Sequence, residues 1–150
     1  MSVKLIDGTE VVSGVAIALR KFFSEEEVPV IYKDKPIQGF VKPCFFIQLV
    51  ADNSQRISKN SFMRNYIIDV RYHPSDDNNA KETTCSKISN YVLDAVNTVI
   101  ISDLPVKAYA MDCQVTDEVL HCITTYRFKV NETEKTLPKM ESLGVKEGVK

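Results

Sequence analysis

Between Glu10 and Ser24, apolar residues fall at Val11, Val12, Val15, Ala16, Leu19, Phe22 and Phe23. Steps of three and four place side chains on one face of a helix, so this stretch predicts an amphipathic helix with a single buried stripe. Asp7 followed by Glu10 has the form of a capping box, which moves the helix start a few residues upstream of the stripe. Val28 to Tyr32 is short, β-branched and aromatic, and its Pro29 suits an edge strand, where a missing N–H costs little. Pro36, Gly39 and Pro43 then mark a loop. The apolar run Cys44 to Ala51 that follows predicts a strand buried on both faces.

Residues 52–61 are polar and irregular and predict a long connection projecting from the sheet. From Phe62 the period becomes two, with Phe62, Arg64, Tyr66, Ile68, Val70 and Tyr72 on one side and Met63, Asn65, Ile67, Asp69 and Arg71 on the other. That alternation is a strand, antiparallel to the one before it and ended by His73 and Pro74. Helical spacing returns at Cys85, Ile88, Val92, Ala95, Val96 and Val99 behind a segment of capping residues. This second helix is expected to close near Ile101, because Ser102, Asp103 and Pro105 form a stop.

The last two strands are expected to meet through a two-residue turn at Asp117 and Glu118, which sets Cys113 opposite Cys122. In that register Tyr109, Met111, Cys113 and Val115 share a face with Leu120, Cys122, Thr124, Tyr126, Phe128 and Val130. Asp112, Gln114, Thr116, His121, Thr125, Arg127 and Lys129 take the other, so one register separates an apolar from a polar face. Asp-Glu is nonetheless a poor fit to the positive φ angles of the tightest turns. The element order predicts an α+β fold: a four- to five-stranded, mostly antiparallel sheet with two helices packed on one face. Residues 1–132 form the expected single domain. Residues 133–150 lack a sustained period and read as a tail, loose or docked on a partner.

Composition narrows the functional classes. A chain of 150 residues, 44% hydrophobic and 26% charged, is of ordinary globular make-up. Its net charge of -1 comes from 19 basic and 20 acidic residues scattered along the sequence, not from a basic groove for nucleic acid. No apolar run approaches the roughly 18 to 20 residues that span a bilayer, and MSVKLIDGTE lacks the form of a signal peptide, so no membrane partner and a cytosolic site of synthesis are expected. The four cysteines, Cys44, Cys85, Cys113 and Cys122, are expected as free thiols in a reducing compartment.

Candidate chemistry is sparse. No Cys or His spacing announces a metal site; Cys113 and Cys122 read as small core residues, with His121 pointing away from them. His73 and His121 read as surface residues with no nucleophile to serve. The five glycines are dispersed and form no phosphate loop. Asp76 and Asp77 suit the positive end of a helix dipole. Glu25, Glu26 and Glu27 follow the first helix on its unfavourable side, which reads as a solvated run or as a contact for a basic partner. Tyr32, Phe40, Phe62 and Tyr91 lie near element ends and serve either as packing or as interface anchors. No catalytic, cofactor-binding or metal-binding residue is assigned, and no cofactor is expected.

The stretch IYKDKPIQGFVKPCFFIQLV (Ile31 to Val50) resembles the tail terminator proteins of bacteriophages and phage-like tail particles of Gram-positive bacteria. A first helix ending in Phe22-Phe23, an alternating strand ending in YHP, an amphipathic helix and a final LHCITTYRFKV strand come in that family's order, over about residues 10 to 130. The resemblance implies a structural protein of the virion or phage-like tail, assembled in the bacterial host cytoplasm. It implies a homo-oligomer, a six-membered ring, that caps the head-proximal end of the tail tube and stops its polymerisation. The ring offers a surface to the neck or head-completion protein, meets the sheath protein where the tail is contractile, and lets DNA pass through its lumen. Within this reading Arg56, Ile57, Lys59, Met63 and Arg64, with Phe40, are the expected partner contacts. Two rivals remain: a head-tail neck or completion protein, and a non-viral regulatory domain whose sheet face and second helix enclose a ligand pocket.

Overall fold

The computed structural model describes residues 6–34 and 39–131. Helix α1 (Gly8–Phe22) begins at the anticipated capping box. An Asp7 carboxylate oxygen accepts from the Glu10 N–H at 3.0 Å, and the Glu10 side chain accepts from the Asp7 N–H at 3.2 Å. The helix stops where Phe23 turns extended, and Arg20 holds the returning chain by donating to the Val28 carbonyl at 2.8 Å. Strand β1 (Val30–Tyr32) follows, then the long hairpin of β2 (Cys44–Ser58) and β3 (Ser61–His73). Helix α2 (Lys81–Val96), β4 (Thr98–Ile101), β5 (Leu104–Thr116) and β6 (Val119–Asn131) complete the chain.

The strands form one six-stranded sheet in the order β1-β2-β3-β6-β5-β4, parallel between β1 and β2 and antiparallel elsewhere. Both helices pack against one face. That face carries Phe45 and Ile47 from β2, Tyr66, Ile68, Val70 and Tyr72 from β3, and Leu120, Cys122 and Tyr126 from β6, all buried. Val11, Val15 and Leu19 of α1 and Val92 and Val96 of α2 close over them. Each large apolar side chain buried there contributes about 1.5–3 kcal/mol. The Tyr126 hydroxyl is satisfied inside this core by donating to the Val96 carbonyl at 2.6 Å. α1 lies close enough to β4 that a Cβ on Gly14 would stand 2.8 Å from the Ile100 carbonyl oxygen, so glycine is required for the approach.

Several expectations need correction. The sheet has six strands where four to five were expected, because β4 was read as part of the second helix. β1 pairs in parallel with β2, and α2 ends at Val96 and gives way to β4. Val99 satisfied the helical spacing, but Val99 and Ile101 are buried while Thr98 and Ile100 are exposed, a period of two. Ser102 and Asp103 form the hairpin turn to β5, both at positive φ, instead of a helix stop. Residues 52–58 are not an irregular loop. They continue β2 in register with β3 as far as Ser58 opposite Ser61, so the connection shrinks to Lys59-Asn60. Burial on both faces of β2 holds only for Cys44 to Ile47.

The last hairpin follows the anticipated register, with Cys113 opposite Cys122 and Asp117 and Glu118 at φ 52 and 64. A bulge between Ala108 and Ala110 then reverses Tyr109, which leaves the helix-covered side and is 61% exposed. Cys113 and Cys122 are joined by a disulfide, their Cα atoms 4.1 Å apart, so only Cys44 and Cys85 remain free. Burial pushes the Cys44 thiol up to about 11. The expected tail at 133–150 lies outside the described residues.

Candidate partner-contact surface

β2, β3 and β6 are longer than the body that the helices cover. β1 pairs only with Cys44 to Phe46, so past that point the outer edge of β2 has no strand beside it among the described residues. β5 leaves β6 at Tyr126, so Arg127 to Asn131 pair only with β3. The result is a three-stranded arm built from residues 51–58, 61–66 and 126–131. Its β2 strand is exposed at every position from Asp52 to Ser58. Eight residues at about 3.3 Å each give an arm roughly 25 Å long.

With little apolar burial, the arm is held by its ladder and by side chains laid across it. Arg56 sits 4.2 Å from the centre of the Phe62 ring and donates to the Lys59 carbonyl at 2.8 Å, which fixes the turn. Arg64 binds the Asp52 carboxylate at 2.8 Å and lies over Tyr66. On the opposite side Asn65 accepts from Arg127 at 2.8 Å and donates to Asn53 at 2.9 Å, and Arg127 stacks 3.6 Å from the Tyr109 ring centre. Exposed cation–π pairs of this kind contribute about 0.5–1 kcal/mol each.

Five of the six anticipated contact residues are therefore brought together. Ile57 is a bulge residue, 47% exposed; Lys59 is at the turn, and Met63 is on the face away from the helices. Arg56 and Arg64 are on the arm too, but their guanidinium groups brace it. Phe40 does not join them. It lies at the other end of the β2–β3 hairpin, in a cluster with Tyr32, Phe46 and His73 at centroid distances of 6.3, 4.9 and 5.0 Å.

The two histidines are better anchored than surface residues. Burial among Phe40 and Phe46, then the charges of Lys42, Arg71 and His121, lower the pKa of His73. His121 stands 3.3 Å from Asp69, which also accepts from Arg71 at 2.9 Å on the helix-free face. Among the described residues no three His, Cys, Asp or Glu side chains gather to hold a metal ion. The space between α2 and the sheet, where the ligand-binding rival needs a pocket, is filled by Val92, Val96, Cys122 and Tyr126. A groove of about 610 Å³ runs instead between the start of α1 and β2, past Lys33, Asp34, Gln48 and Arg71.

Exposed apolar residues that the sequence pattern did not single out include Val50 at the second bulge of β2, Tyr109 beside Arg127, and Ile17 and Ile100 near Phe22 and Tyr91. A bulge leaves no trace in alternation, so Val50 and Tyr109 had no signal. Phe22 sits in the helical stripe, and only the end of α1 lying at the rim of the core exposes it.

No curated protein sequence matches the chain. Among solved structures, a chain from the virion of a native gene transfer agent particle superposes at a TM-score of 0.48, with 12% identity, covering 81% of this chain and 94% of that one. A second superposes at 0.33 with 13% identity, covering 79% and 94%. The family model described as phage tail terminator protein matches residues 10–138. This α+β chain, with its helix-covered body and projecting three-stranded arm, belongs to the phage tail terminator family, whose members are structural components of phage-type tails.

Proposed function

We propose that copies of this chain close into a six-membered ring on the head-proximal end of a tail tube, stop its growth and offer the neck its attachment surface. The observation that carries the reading is the arm: an exposed ribbon whose two edges have no strand beside them among the described residues, stiffened by Arg56, Arg64 and Arg127. Long free strand edges invite further pairing and are costly for a lone monomer to keep exposed, so an arm of this kind belongs against another chain. Contacts between unlike surfaces of identical subunits close into a ring when the rotation permits. Residues 1–132 are the single domain of this scheme and contribute shape, not catalysis. DNA passes through the lumen without being held there, and the sheath protein is a neighbour only in a contractile tail.

The test is to mix the purified protein with polymerising tail-tube subunits and image the products. Tubes of limited length with an added ring at one end are expected. Tubes that grow to undiminished, uncapped length reject the role, and binding only to purified neck or portal components moves the protein to the other side of the junction.

A further inference from the structure

Charge is distributed unevenly between the arm and the rest of the molecule. Residues 51–66 and 126–131 hold five cations (Arg56, Lys59, Arg64, Arg127, Lys129) against one carboxylate (Asp52), a net +4. Residues 1–50 and 67–125 hold ten basic and fifteen acidic side chains, a net -5. α1 runs antiparallel to β2, with Gly8 against Leu49 and Phe23 against Phe45, so the end of α1 lies away from the arm. From Phe45 to Ser58 the strand covers roughly 40 Å. One copy cannot bring its own arm tip to its own α1 end.

That end carries an apolar patch with charged residues beside it. Phe22 (45% exposed) and Tyr91 (51%) meet at 6.0 Å, and a groove of about 220 Å³ runs from them past Ile17 and Ile100. Exposed Asp94 lines the groove together with Lys21, and exposed Glu25 and Glu26 come after Phe22, Phe23 and Ser24 in the chain. Glu27 is engaged with Ser24. Clustered exposed apolar side chains with a charged rim mark a protein-binding surface.

We infer that the occupant is the arm of a second copy: Ile57 seats in the groove beside Phe22, and Lys59 and Lys129 meet Glu25 and Glu26 just past the end of α1. The inference rests on the ring reading and names its subunit contact. Opposite charge at the two ends steers copies head to tail and penalises arm-to-arm encounters. Because the two surfaces differ, each docking leaves one arm and one patch free, which is what a closing ring uses and a two-fold dimer does not.

Charge reversal tests it. Two variants are made, Lys59→Glu with Lys129→Glu on the arm and Glu25→Lys with Glu26→Lys on the body, and a third carries all four changes. Native circular dichroism establishes that each folds. Ring fraction is measured by solution mass and negative-stain imaging, in solution and on tube ends. Each reversal alone is expected to lower ring formation at least tenfold, and the fourfold variant to restore it. Single reversals that assemble like the parent, or a folded fourfold variant that does not assemble, overturn the inference. So does an arm variant that forms normal rings but no longer caps tubes, which assigns the arm to the tube, or one that loses only retention of duplex DNA. Rings of the parent protein that fail to cap tubes defeat the proposed function alone, because charge rescue still reads the subunit contact. A parent protein that forms no ring in either setting defeats both.

Discussion

The body and the arm are made from the same three strands, yet different forces hold them. In the body, β2, β3 and β6 present Phe45, Ile47, Ile68, Val70 and Cys122 to two helices, and burial carries the stability. In the arm the same strands present Asp52, Ser54, Arg56, Phe62 and Arg64 with no helix over them, and the ladder is supported by ion pairs and cation–π stacking worth little individually. Their turns differ too. The body hairpin takes Asp117 and Glu118 to positive φ, whereas Lys59-Asn60 is held by the Arg56 donor to the Lys59 carbonyl and a 2.6 Å contact between the Ser58 and Ser61 hydroxyls. The arm is thus kept in order by contacts within its own ladder while being spared from the core.

The sharpest way to break the comparison is truncation in the body. Ile68→Ala, at a fully buried site in the core, should cost about 2–5 kcal/mol, read from urea unfolding; a loss below 1 kcal/mol would mean the core is not where the structure puts it. Next, replacing Asp117 by Asn and Glu118 by Gly relieves two left-handed residues and should gain about 1 kcal/mol in the same urea measurement; a loss would show that the Asp117 and Glu118 side chains stabilise the turn. No comparable gain is expected at Lys59-Asn60.

Acidification tests the cluster around His73. Its folded pKa lies below its ordinary value of 6.5, so the unfolded chain binds the proton more readily. The stabilisation is therefore complete above that ordinary value and is lost as pH falls through it toward the folded pKa. Melting temperature should fall more steeply between pH 8 and 5 in the parent than in His73→Phe; parallel curves would rule the residue out as a contributor. The smallest effect belongs to the arm: Met63→Ala should change unfolding free energy by no more than about 0.5 kcal/mol. A change as large as that of Ile68→Ala would make the arm part of the core and erase the distinction.

Legibility followed the range of the interactions. The α1 capping box, the two faces of β3 and the Cys113–Cys122 register were readable because each is set within a turn or by a strict period. β4 was not, since Val99 fits a helical and an extended spacing equally well. The arm was placed correctly as a projection but misread as a loop, because polar residues in an uncovered strand have no buried face to alternate against. Of the anticipated contact residues, Arg56 to Arg64 share the arm because they are close in sequence, whereas Phe40 packs with Tyr32 and His73, whose proximity in space no local pattern announces.

Local patterning by itself determined the two helices, the strands that enter the core and the absence of a motif for reactive chemistry, since propensity, capping and periodicity act over a few residues. Tertiary structure alone decided how far β2 runs beyond the helices, where the bulges at Val50 and Tyr109 turn side chains outward, and that five basic residues from three separate segments gather on one arm. Those outcomes depend on which segments become neighbours in space, and the pairing of strands far apart in the chain is set by the whole core at once.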